Sequence, residues 1–128
     1  MATGTYDFII TMDAIHDMAR PDLVLDIARR ALKDDAWGYL IADFKCNETA
    51  ADNIAADPGL AMLAYGASVM LCLNSAMSEE NSMGLGTMGF HPQLAQRMLC
   101  DAGFAGFEQL DWESDVNNFY WAKLSAGS

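Results

Sequence analysis

"YDFIITMDAIHDMARPDLVLDIARRALKDDAWGYLIADF", residues 6–44, is the stretch whose reading decides the fold. It opens on YDFIIT (6–11), a short apolar run rich in β-branched and aromatic residues. Such a run suits a strand covered on both faces, as in a parallel sheet. The run stops at a polar cluster, Asp13, His16 and Asp17. Pro21 fits the first turn of a helix, where its missing N–H costs nothing, and Asp22 favours the positive end of the helix dipole. Leu23, Val24, Ile27, Ala28, Ala31 and Leu32 form one apolar face at helical spacing. Arg29, Arg30 and Lys33 gather near the C-terminal end, where cations are favoured. DDAWG (34–38) breaks the helix, and WGYLIADF (37–44) reads as a second buried strand with Asp43 at its polar end. Strand, helix, strand at this spacing is a βαβ unit with a right-handed crossover. Working groups in open α/β sheets gather at the carboxyl ends of the strands. Asp13, His16, Asp17 and Asp43 all fall there.

Composition narrows the class. The 128 residues hold one core and hardly two, so 1–128 reads as a single domain, and 52% apolar content predicts a packed one. A formal net charge of −11 excludes an electrostatic nucleic-acid binder and docking on anionic lipid. Cys46, Cys72 and Cys100 lie far apart with no C-x-x-C, so no metal site is expected. Their scatter in apolar surroundings predicts reduced, mostly buried thiols in a cytoplasmic protein. MATGTYDF (1–8) lacks the basic region and apolar segment of a signal peptide. GLAMLAYGASVMLCL (59–73) is the longest apolar stretch. It falls short of the roughly 20 residues that span a bilayer and reads as a buried helix.

After residue 45 the simple alternation ends. A polar stretch leads to Pro58-Gly59 and a Met-rich helix over about 60–76, followed by a glycine-bearing loop, SEENSMGLGTMGF (78–90). Pro92 opens another helix with Leu94, Ala95, Met98, Leu99 and Ala102 on its apolar face, and Gly103 is placed as a left-handed cap. His91 reads as a helix-start residue. FAGFEQLDW (104–112) and NNFYWAKL (117–124) are the last two strands, antiparallel because their link is short. Trp112, Phe119, Tyr120 and Trp121 read as sheet packing.

In this order the elements resemble the C-terminal half of a class I S-adenosylmethionine-dependent methyltransferase, over residues 6–124. YDFIITMDAIHD looks like the family's fourth strand and post-strand motif, and VLDIARRALKDDAWGYLIADF like the next helix and fifth strand. MLCDAGFAGFEQL (98–110) is similar to its LL-x-x-AGF helix end. The resemblance implies an α/β fold: a partial Rossmann-like sheet in the family order 4-5-7-6, last strand antiparallel, with flanking helices. Residues 46–90 would be an inserted helical region lining the acceptor pocket. The His-Asp pair narrows the likeness to small-molecule O-methyltransferases of bacterial type.

That likeness assigns roles. His16 would be the general base, with Asp43 as the flanking carboxylate. The rival reading of His16 is a strand-end histidine bonded to backbone. Met12 and Asp13 would face the cofactor, with Asp13 alternatively a turn former. Asp17 would face the substrate or else bond local backbone. Met70 and Asn74, at the family's Met-x-x-x-Asn spacing, would line the acceptor pocket. A flanking glutamate of the plant enzymes would fall near Gly89 and is absent. The family's glycine-rich first turn is also absent, since GLGTMG (84–89) follows a helix and a polar loop. The first three strands are therefore expected to be missing. The chain reads as a fragment, or a product begun at an internal methionine, with an incomplete S-adenosylmethionine site and no activity alone. The rival class is a non-catalytic module whose open edge serves protein interaction or a homodimer.

Overall fold

A computed structural model describes residues 3–125. The expectation about the initiating methionine falls on Met1, outside the described residues. The strands are β1 (Phe8–Met12), β2 (Gly38–Phe44), β3 (Gly106–Leu110) and β4 (Asn117–Lys123). The helices are α1 (Pro21–Ala31), α2 (Ala50–Ala56), α3 (Pro58–Ala76) and α4 (Pro92–Asp101). The sheet order is β1-β2-β4-β3. β1 runs parallel to β2, while β4 is antiparallel to both β2 and β3. This is the expected partial methyltransferase sheet.

The helix ends follow the local chemistry. Pro21 starts α1, and Arg29 and Arg30 sit in its last turn. His91 caps α4 by accepting from the Leu94 N–H at 3.3 Å, and Pro92 follows at the first helical position. Gly103 ends that helix with φ +91, a conformation glycine adopts without strain. Helix α2 carries no apolar periodicity and was not expected. Its signal is the pair Thr49 and Asp52: the threonine hydroxyl accepts from the Asp52 N–H at 3.1 Å and donates to its carboxylate at 2.7 Å.

One face of the sheet makes the core. Tyr39, Ile41, Tyr120 and Ala122 pack there against Leu25 and Ala28 of α1 and Ala95 and Leu99 of α4. The other face is open. Phe8, Ile10 and Met12 alternate outward from β1 at 40, 48 and 61% exposure. Leu40, Phe119 and Trp121 share that face by register and are only half-buried. The expectation that β1 is covered on both faces is thus corrected: α1 covers one face, and no described helix covers the other.

Helix α3 corrects a second expectation. Its inward residues are small, Ala61, Ala64 and Ser68, while Met62, Leu63, Val69, Met70 and Leu71 face outward. The helix has apolar residues all round, and its fully buried residues are the small ones. By length and composition it could cross a membrane, so the shorter apolar stretch read from the sequence understated it. The thiols differ too: Cys46 is buried, Cys72 half-buried and Cys100 exposed.

Gly38 opens β2 at φ +144, and a Cβ there would lie 2.7 Å from the Ala122 carbonyl oxygen and 2.9 Å from the Trp121 ring. Neither the backbone angle nor the space admits a side chain. Gly38→Ala should lower stability by about 1–3 kcal/mol, read as an earlier urea midpoint. An unchanged midpoint would show that β2 and β4 separate there freely.

Candidate acid–base site

The chain turns sharply where β1 ends. Asp13 adopts φ +47, a left-handed conformation that aspartate tolerates better than most residues. Its N–H still donates to the Ala42 carbonyl at 2.9 Å, and its carboxylate accepts from Asn117 Nδ2 at 2.5 Å. The next residues form a single 3₁₀ turn, Ile15–Asp17, with Ile15 and His16 buried.

Asp43 holds that turn in place. It is 1% exposed, near the end of β2. Its Oδ2 accepts from the N–H groups of Ile15 at 3.0 Å and His16 at 3.3 Å. Its Oδ1 accepts from the Phe44 N–H at 2.8 Å and meets His16 Nδ1 at 2.5 Å. A buried carboxylate is costly unless its lone pairs are used, and here four contacts use them. His16 is consequently not a histidine bonded to backbone through its ring. With Nδ1–H donated to Asp43, the lone pair sits on Nε2. That nitrogen lies 3.3 Å from Asp17 Oδ1.

Burial pulls the His16 pKa down. The bond to Asp43 and the charges of Asp43, Asp17 and Asp13 outweigh it, and the pKa lies above the ordinary 6.5. One further residue reaches the cluster. Cys72 stands in a π-helical turn of α3, Ser68–Cys72. Its sulfur and the ligating atoms of His16 and Asp17 all lie within 4.8 Å of one another. Ser68, from the same turn, accepts from the Thr87 N–H at 3.1 Å and so pins the glycine-bearing loop beside the site. Sequence spacing gave no sign of Cys72; only the π turn and the folding of α3 onto the 3₁₀ turn bring it there.

The other expected residues lie apart from this cluster. Met12 is exposed at the end of β1. Met70 is exposed, and the Asn74 amide donates to the Val69 and Met70 carbonyls of its own helix at 3.0 and 3.1 Å. The structure does not bring Met70 or Asn74 to His16. A cleft of about 650 Å³ is lined by Lys45, Asn53, Asp57, Gln93, Asp115 and Asn118 among others and does not include His16. It offers amides, acids and one cation but no base held by a buried partner.

No protein-family model matches the chain, and no curated protein matches it in sequence. Solved structures do. The CMeT domain of the citrinin polyketide synthase superposes with a TM-score of 0.63 at 10% identity, covering 96% of this chain and 28% of that one. A proposed O-methyltransferase from Nostoc punctiforme PCC 73102 superposes with a TM-score of 0.62 at 14% identity, covering 94% of this chain and 32% of that one. The chain thus spans about a third of the length of each neighbour. It has the fold of the C-terminal portion of a class I methyltransferase.

Proposed function

We propose that the chain is the acceptor-side half of an S-adenosylmethionine-dependent methyltransferase, in which His16 takes the proton of a hydroxyl on a small apolar or aromatic acceptor. The observation that supports this most is the Asp43–His16 pair, buried at the carboxyl ends of the parallel strands β1 and β2. The donor, when bound, supplies an already activated methyl group. This chain's task is the acceptor's proton. Asp43 fixes the tautomer that leaves Nε2 able to accept and stabilises the imidazolium once the proton has arrived. Asp17, the more exposed of the two flanking carboxylates, yields its place at Nε2 to the acceptor hydroxyl.

The donor fits the described residues only in part. Met12 and Asp13 offer one wall, with the Asp13 carboxylate already taken by Asn117. Among the described residues no glycine-rich turn follows a strand. We assign the remaining walls to a cofactor-side half lying against the open sheet face and the free edge of β1. A shallow apolar depression lined by Ile9, Thr11, Val24, Ile27, Ala28 and Tyr39 suits such a neighbour. In this reading the protein works in the cytoplasm on a small molecule, without nucleic acid or membrane. The 128 residues alone do not hold the donor.

The same open edge favours a second reading, a non-catalytic module that pairs with a second copy through β1. Sedimentation equilibrium at micromolar concentration tests it: a dimer supports this reading and a monomer removes it.

Calorimetry with S-adenosylmethionine should give no binding heat with these 128 residues. Stoichiometric binding would overturn the half-site reading. In a protein that carries both halves, His16→Gln should lower turnover by about 10²–10⁴-fold, and near-normal turnover would sink the base assignment.

The His16 ring should titrate above 6.5 by NMR, and Asp43→Asn should bring that titration down. The sign for stability follows from a folded pKa above the unfolded value. The charged ring stabilises the fold fully below about pH 6.5, and that contribution disappears as pH rises through the folded pKa. A wild-type ring titrating below 6.5 would contradict the pairing.

A further inference from the structure

We propose that His16 Nε2, Asp17 Oδ1 and Cys72 Sγ form a binding site for a zinc-class divalent cation, backed by Asp43. The inference stands on the geometry of the cluster and does not rest on methyl transfer. Three atoms of the types zinc prefers, one nitrogen, one carboxylate oxygen and one sulfur, lie within 4.8 Å of one another. Zinc bonds of about 2.0–2.3 Å place tetrahedral ligands roughly 3.5 Å apart. Side-chain rotation of Asp17 and Cys72, both only half-buried, closes the difference.

Two further observations point at a cation. Asp17 Oδ1 is buried without a hydrogen-bond partner, its approach to His16 lacking hydrogen-bond geometry. Thr87 Oγ1, buried beside the Cys72 thiol, has no well-formed hydrogen bond of its own. Buried polar atoms without partners are rare and costly. The charge is also one-sided: Asp13, Asp17 and Asp43 gather around one histidine.

The arrangement of His16 is that of a metal ligand. Its Nδ1 meets a buried carboxylate at 2.5 Å, which orients the ring and raises the basicity of the opposite nitrogen. On binding, the Cys72 thiol loses its proton to solvent as the metal–sulfur bond forms, and the metal takes the Nε2 lone pair in place of a proton. A dication with one carboxylate and one thiolate is neutral overall. Three protein ligands leave a fourth position open. Metal and proton compete for one lone pair, so an occupied site silences His16 as a base.

Cobalt(II) is the probe. Titrating the whole chain should produce a thiolate-to-cobalt charge-transfer band at one equivalent, removed by zinc. Cys72→Ser should abolish the band, and Cys100→Ser should leave it. Asp43→Asn should weaken zinc binding about 10–100-fold. Iodoacetamide labelling read by mass spectrometry needs no variant: zinc should protect Cys72 and leave Cys100 reactive. Cys46 is a silent control, because burial pushes its pKa to about 12. No band with the wild-type chain, a band surviving Cys72→Ser, or Cys72 alkylated as fast with zinc as without would each overturn the site. None of these results depends on S-adenosylmethionine, so the fate of this proposal is separate from that of the methyltransferase reading.

Discussion

The buried carboxylate of Asp43 is the constraint on which the site depends. It sits near the end of β2, yet its contacts reach back to Ile15 and His16 at the end of β1. Backbone hydrogen bonds between the strands stop with Asp13 N–H to Ala42. Past that point nothing in the sheet ladder would hold the chain leaving β1. Asp43 extends the pairing by one side chain. It accepts the N–H groups that a 3₁₀ turn leaves unused, and it takes the imidazole with its other oxygen. The position of His16 and the bond at its Nδ1 are therefore set by one group. Replacing that group by an apolar residue would strand two buried N–H donors along with the ring, each costing about 1–3 kcal/mol.

The same sheet is unevenly finished. Strands in parallel α/β sheets are ordinarily apolar on both faces because helices cover both. β1 keeps that composition, FIITM, but only one of its faces is covered. Helix α3 repeats the pattern, with its bulky residues outward and its alanines inward. Contiguous exposed apolar surface is uncommon on a protein face that meets water alone. Both neighbouring structures are about three times longer than the part that matches.

Much of this was legible in the sequence. The βαβ unit was readable because each element announces itself locally: β-branched runs for the strands, Pro21 and the terminal arginines for α1. The antiparallel pair followed from the short link between 112 and 117. Gly103 and His91 were readable as caps, because caps depend on residue type at one position. Burial was the part that failed. An apolar run states that a segment wants a partner, not that this chain supplies one, and so β1 and α3 were expected to be covered. Helix α2 was missed because its only signal is a two-residue cap. The pairing of His16 with Asp43 was reached through family likeness, and the approach of Cys72 had no signal at all, since a π turn cannot be read from apolar spacing.

His16 is held between two carboxylates that pull it in different directions. Asp43 on Nδ1 favours the tautomer a base needs, with a lone pair on Nε2. Asp17, near Nε2, favours a proton on that same nitrogen. Together they raise the pKa above 6.5 against the effect of burial. A group that drew Asp17 away would free Nε2, whereas a cation would take the Nε2 lone pair for itself. Which group meets the Nε2 of His16 thus depends on what occupies the space between Asp17 and Cys72. That dependence follows from the two carboxylates alone, whichever ligand fills the space.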